Sequence, residues 1–131
     1  MRYLPAALLC LATLATACKK NTPPIAALNG TYRGIFQRQY GGSGQISRVS
    51  LIFSGDTWTG TSQFPKYPGL CKGTYRINSD NKIIFTNACP WTTEFDSSLV
   101  LSQEYELSVT GSDVEMVRIN PPYRDVYKLR K

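Results

Sequence analysis

Between residues 28 and 129, apolar and polar side chains alternate in short segments that turn-forming residues separate. In segment 31–37, Tyr32 and Phe36 share one face, and in segment 48–53 the apolar side chains of Val49, Leu51 and Phe53 do the same. A period of two residues is typical of β-strands that bury one face. Because no segment keeps a helical apolar period, the pattern predicts an all-β domain with no helix longer than a turn.

The same reading predicts about nine short strands at near-regular spacing, at residues 31–37, 48–53, 58–62, 71–77, 82–86, 95–101, 103–109, 114–119 and 124–129. This spacing predicts an antiparallel up-and-down β-barrel of eight or nine strands. An open sheet would leave two edge strands unpaired, so closure is favoured, with the first strand beside the last. That pairing should bring Tyr32 near Tyr127.

The N-terminus has a different pattern: Arg2, an apolar run over residues 4–14, the small residues 15–17 and then Cys18. A charged start, a short apolar stretch and a small-residue cleavage site indicate a signal peptide. A cysteine directly after the cleavage site makes it similar to bacterial lipoprotein signals, whose cysteine is acylated. The alternative is ordinary secretion with an incidental Cys18. We therefore divide the chain into a signal peptide (1–17), a lipidated cysteine with its linker (18–28) and a barrel domain (29–131).

The cysteine count supports lipidation and also predicts a disulfide. Cys10 leaves with the signal peptide, so the exported protein keeps Cys18, Cys71 and Cys89. An odd thiol in an exported protein requires an explanation, and acylation of Cys18 leaves the other two as a pair. Cys71 and Cys89 are also equally far from a predicted turn near residue 80, and thus opposite each other in a hairpin. The alternative is that both are free, buried cysteines.

Composition narrows the function classes. The formal net charge of +6 becomes +5 once Arg2 is removed, and we interpret the scattered cations as a solvated surface rather than a nucleic-acid site. These cations include Arg33, Arg38, Arg48, Lys66, Lys72, Arg76, Lys82, Arg124, Lys128, Arg130 and Lys131. The chain contains no histidine, which excludes Ser-His-Asp and Cys-His catalysis and histidine-ligated metals. No pair of carboxylates stands out, so we expect neither an enzyme nor a metal or cofactor site.

Short motifs indicate a family. The sequence Asn29-Gly30-Thr31-Tyr32 resembles the G-x-W/Y start of lipocalin-like and avidin-like barrels. Residues 69–75, 87–96 and 125–129 resemble the small lipocalin-like lipoproteins that are common in Bacteroidota. The resemblance implies a barrel that an acyl anchor holds in the cell envelope, and the absence of acidic residues after Cys18 favours a periplasm-facing position. It supplies no ligand and no catalytic residues.

Two functions remain open at this point. An eight-stranded barrel is wide enough to hold one small apolar ligand, with Trp58, Tyr75, Trp91 and Tyr127 as candidate lining residues at its mouth. Alternatively these aromatic rings form the core, and the domain binds or inhibits an envelope protein, with the loop at residues 64–70 as a candidate contact. A large internal cavity would favour the ligand, whereas a filled barrel with an exposed apolar rim would favour protein contact.

Overall fold

The computed structural model describes residues 25–131, which form eight antiparallel strands. Each strand pairs with the next, and the last returns to the first, so the sheet closes into a barrel. The predicted fold class and the closure are thus confirmed. The strands are β1 Gly30–Gln39, β2 Ile46–Ser54, β3 Thr57–Ser62, β4 Lys72–Ile77, β5 Lys82–Asn87, β6 Gln103–Thr110, β7 Asp113–Asn120 and β8 Tyr123–Arg130.

The seam of the barrel is the ladder between β1 and β8, which runs from the pair Arg33–Arg130 to the pair Gln39–Arg124. Within it, Phe36 lies opposite Tyr127, and the two ring centroids are 4.8 Å apart. Tyr32 lies before the first β1–β8 pair and packs instead against Phe53 of β2, at 5.6 Å between centroids. The aromatic partner of Tyr127 on β1 is therefore Phe36, not the predicted Tyr32.

The predicted strand at residues 95–101 is wrong. Ser97–Leu99 form one turn of 3₁₀ helix, and Asp96 caps it by accepting a hydrogen bond from the Ser98 N–H at 3.0 Å. Short polar side chains such as these hydrogen-bond to nearby backbone and thereby compete with strand pairing. Val100 keeps a single parallel bridge, to Gly69. The barrel accordingly has eight strands, the lower of the two predicted numbers.

The two ends of the barrel differ in their connections. At one, which we call the turn end, tight turns at residues 55–56, 78–81 and 111–112 join the strands. At the other, the loop end, the connections at residues 40–45, 63–71 and 88–102 are longer, and only the link at 121–122 is tight. Binding residues are found disproportionately on long loops that a rigid scaffold positions. The loop end is therefore the place to look for a site.

The segment before β1 covers the turn end. The backbone of Leu28 donates to the Tyr75 hydroxyl at 3.1 Å, and that hydroxyl donates to the Leu28 carbonyl at 2.7 Å. Ile25 donates its N–H to the side-chain oxygen of Asn81 at 3.0 Å. Leu28 is buried in the core. The last part of the predicted linker thus packs against the barrel, and the chain enters the domain at its turn end.

Aromatic rings fill the middle of the barrel. Phe85 contacts Trp58 and Tyr105 edge to face, with centroids 5.8 and 5.9 Å away. Edge-to-face packing of this kind is a preferred arrangement of buried aromatic side chains. Leu51, Ile83, Leu101 and Met116 are completely buried around these rings. Among residues 25–131, no helix is long and apolar enough to cross a membrane.

Candidate functional site

Three of the four aromatic residues proposed as a ligand lining belong to the core. Trp58, Tyr75 and Tyr127 are 1 %, 7 % and 0 % exposed, and Phe85 and Tyr105 connect them into one cluster. The Trp58 indole also donates to the Thr86 carbonyl at 3.2 Å. These three side chains fill the barrel rather than line an open cup.

Trp91 lies apart from that cluster, in the connection at residues 88–102. Its ring stacks on Phe95, with centroids 5.4 Å apart and planes inclined by 33°. The structure therefore places Trp91 in the longest connection at the loop end and does not bring it together with the other three residues.

A buried ion pair lies just inside the loop end. Arg38 of β1 and Asp125 of β8 are cross-strand partners, joined by Nε–Oδ1 and Nη2–Oδ2 hydrogen bonds of 2.7 and 2.8 Å. The two side chains are only 8 % and 1 % exposed. The hydrogen bonds to Asp125 raise the pKa of the Arg38 guanidinium. The interpretation of Arg38 as a solvated surface cation is thus wrong.

Arg38 also fixes the 3₁₀ turn. Its Nη1 donates to the Asp96 carboxylate at 3.2 Å and to the Ser98 hydroxyl at 2.9 Å, and its Nη2 donates to the Ser98 carbonyl at 3.2 Å. Asp96 accepts a further hydrogen bond from the Ser98 hydroxyl at 2.6 Å. The hydrogen bonds from Ser98, followed by the nearby Arg38 charge, lower the pKa of Asp96. The Arg38 guanidinium therefore binds both strand β8 of the barrel wall and the longest connection, at residues 88–102.

Further contacts hold the same connection. The predicted disulfide between Cys71 and Cys89 is present, with Cα atoms 6.3 Å apart, and it fixes the start of the loop. Gly69 donates its N–H to the Leu99 carbonyl at 2.9 Å and accepts the Leu101 N–H at 3.0 Å. Phe95 lies so close to Gly69 that an added Cβ would meet its ring at 3.1 Å. The loop is thus held at several points along its length.

Two buried tyrosines, Tyr105 and Tyr127, lie near the Arg38–Asp125 ion pair. Burial, followed by the Asp125 charge, raises the pKa of Tyr105 to about 12. Burial, followed by the nearby Tyr105, also raises the pKa of Tyr127 well above its ordinary value. Within the described part of the chain, the Tyr127 hydroxyl has no hydrogen-bond partner. Both phenols are therefore neutral at ordinary pH.

Among residues 25–131, most of the exposed large apolar side chains surround the loop end. Tyr40 and Tyr123 stack with centroids 6.2 Å apart, and the Arg38 guanidinium lies 4.8 Å from the centre of the Tyr123 ring. We define the apolar rim as five exposed side chains on or beside β7, β8, β1 and β2, namely Tyr40, Ile46, Phe64, Ile119 and Tyr123. Ile119 and Tyr40 are 63 % and 66 % exposed. Exposed apolar patches of this kind mark interaction sites.

The loop at residues 64–70 contributes to this rim through its first residue. Phe64 is 37 % exposed, whereas Pro68 is buried. The Tyr67 hydroxyl accepts the Arg38 N–H at 3.2 Å and donates to the Gln45 carbonyl at 2.8 Å, which ties the loop to β1 and its turn. The predicted contact loop thus lies at the loop end, although half of it packs inward.

Comparison with known protein families, curated proteins and solved structures found no match for this chain.

Proposed function

We propose that this protein is a lipoprotein of the cell envelope whose apolar rim binds another envelope protein. The observation that carries the proposal is a barrel filled by aromatic side chains together with exposed aromatic and aliphatic side chains around its loop end. A filled barrel offers a small ligand no internal site, whereas an exposed rim of Tyr, Phe and Ile is typical of protein contact.

The position of the N-terminal segment supports an orientation. Cys18, the proposed acylation site, precedes Ile25 by seven residues, a distance of at most about 25 Å for an extended chain. Ile25 lies at the turn end, where it bonds to Asn81. Diacylglyceryl and N-acyl chains on Cys18 would anchor the protein stably. The turn end would then lie near the membrane, with the apolar rim pointing away from it.

The charged residues near the apolar rim indicate what kind of partner surface would fit it. The exposed cations beside it are Arg48, Lys66 and Arg124, on β2, the 63–71 connection and β8. Of the acidic residues near the loop end, Glu94 and Glu104 belong to the 88–102 connection and β6, whereas Asp96 is paired with Arg38. A partner with an apolar centre and acidic edges would be complementary to this arrangement.

Site-specific photo-crosslinking in intact cells tests the proposal. A photoreactive phenylalanine analogue at position 40 should give a discrete crosslinked protein, and the same analogue at Ile52, which is 47 % exposed near the turn end, should not. The substitution Ile119→Asp, at a rim side chain that is 63 % exposed, should remove the crosslink from position 40 without lowering the melting temperature of the purified protein. Mass spectrometry identifies the partner. Equal crosslinking from both positions, or none from position 40, would refute the proposal.

A further inference from the structure

A groove next to Trp91 lies on the side of the barrel opposite the apolar rim. It has a volume of about 420 Å³ and lies between the ends of β5 and β6 and the 88–102 connection. The lining residues that matter to its chemistry are Phe85, Asn87, Trp91, Ser97, Ser102 and Gln103.

The groove exists because β5 extends beyond β6. Pairing between the two strands ends at Phe85–Gln103, whereas β5 continues to Asn87, which pairs with Gly73 on its other side. Gln103 has a φ of 69°, in the left-handed region that non-glycine residues seldom adopt. The chain before Gln103 therefore diverges from β5 and leaves a gap between them. Backbone strain of this kind often marks a functional position.

The chemistry of the lining distinguishes this groove from the others. It combines an aromatic face, from Trp91, with amide and hydroxyl side chains, and none of its lining residues is charged. Four other surface grooves, of about 330 to 540 Å³, all include charged side chains, for example Arg33 in the largest and Arg48 in another. In a chain with a formal charge of +6, an uncharged groove fits an uncharged ligand.

We propose that this groove binds a neutral saccharide. The C–H face of a sugar ring packs on an aromatic ring, while its hydroxyls exchange hydrogen bonds with uncharged amides and hydroxyls. A purely apolar ligand would fit less well, because it would cover the side chains of Gln103 and Ser97 without offering them hydrogen-bond partners.

The contacts that fix the loop also favour binding. The disulfide at Cys89 lies two residues before Trp91, the Trp91 ring packs on Phe95, and Arg38 fixes the turn that carries Ser97. Ordering a loop on binding reduces affinity, so a loop that is already held loses less. The proposal does not depend on the proposed protein partner, since the groove and the apolar rim are on different strands.

Nuclear magnetic resonance of the full-length protein in a sugar-free detergent tests the proposal. The chain has two tryptophans, and their indole N–H resonances report separately on the groove, through Trp91, and on the core, through Trp58. The probes are chitotriose and maltotriose, with sialyllactose and laurate as charged and apolar comparisons. We expect a neutral trisaccharide to shift the Trp91 resonance in a saturable way and to leave the Trp58 resonance in place.

Variants locate the binding. Trp91→Ala should weaken trisaccharide binding by at least about tenfold, whereas Trp91→Phe should retain part of it because it keeps an aromatic face. Ile52→Ala, at an exposed position near the turn end, should bind as the wild type does. No saturable shift with either neutral trisaccharide up to about 10 mM, the weakest specific range of interest, would overturn the proposal. Equal binding by wild type and Trp91→Ala, or preference for sialyllactose or laurate, would overturn it as well.

Discussion

Arg38 of β1 and Asp125 of β8 form a two-point ion pair across the seam where the barrel closes, with N–O distances of 2.7 and 2.8 Å. The same guanidinium donates to Asp96 and Ser98 in the longest connection. Both side chains are almost fully buried. If one charge is removed, water therefore cannot solvate the other. This one pair therefore supports both the closure of the sheet and the position of the loop.

Replacing the carboxylate tests this dependence. Asp125→Asn keeps the shape of the side chain but leaves the Arg38 charge buried with only the exposed Asp96 to oppose it. We expect a loss of about 3 kcal/mol in the free energy of unfolding, measured in urea. Asp113→Asn is the matched control, because it breaks the Arg130–Asp113 pair, whose side chains are 76 % and 67 % exposed. That change should cost less than about 1 kcal/mol, and equal losses would contradict the role given to Arg38.

The positions of Arg38 and Asp125 along their strands predict this ion pair, although the net charge does not. Arg38 follows Tyr32 and Phe36 at even spacing, so it continues the inward face of β1, and Asp125 precedes the inward-facing Tyr127 by two residues. Two opposite charges on the inner faces of the first and last strands of a closed barrel are expected to meet. The interpretation of all cations as a solvated surface missed the Arg38–Asp125 ion pair, because composition does not show which face of a strand a residue occupies.

The wrong prediction of a strand at residues 95–101 has a different cause. Alternation of apolar residues identified the eight strands, because each strand buries one face, and the cost of unpaired edge strands predicted the β1–β8 seam. Leu99 and Leu101 continue that alternation, yet Asp96 and Ser98 turn the chain into a 3₁₀ turn. Here hydrogen bonds from Arg38, which is distant in sequence, decide the conformation. Local patterns do not contain such contacts, so the Trp91 groove could not be predicted.

Removing the disulfide should destabilise the domain. Cys71 and Cys89 are 18 residues apart in sequence, and closing a loop of that size stabilises a protein by about 3 kcal/mol in the chain-entropy account. The variant with Cys71→Ser and Cys89→Ser should lose about that amount in urea unfolding. Dithiothreitol should lower the stability of the wild type to the same value and leave the variant unchanged. A reductant effect on the variant would show that the loss has another source.

Acylation at Cys18 has a direct test, although the residue lies outside the described range. Growth with an alkyne-tagged fatty acid should label the wild-type protein, whereas Cys18→Ser should remain unlabelled and partition into the aqueous phase of Triton X-114. Cys10→Ser, within the signal peptide, is the matched control and should be labelled as the wild type is. Equal labelling of wild type and Cys18→Ser, or an unlabelled wild type, would contradict the lipid anchor in the proposed function.

The buried Tyr105 predicts a loss of stability at alkaline pH. Its pKa rises from 10.0 to about 12 on folding, chiefly because burial penalises the phenolate, so the unfolded chain releases this proton first. The resulting stability is complete below pH 10, and it is lost as the pH rises towards 12. Two pKa units correspond to roughly 2 to 3 kcal/mol, which urea unfolding at successive pH values should reveal. Tyr105→Phe should make the decline between pH 10 and 12 shallower and leave a slope parallel to the wild type between pH 7 and 9. If the variant and the wild type decline equally above pH 10, the buried phenol is not the cause.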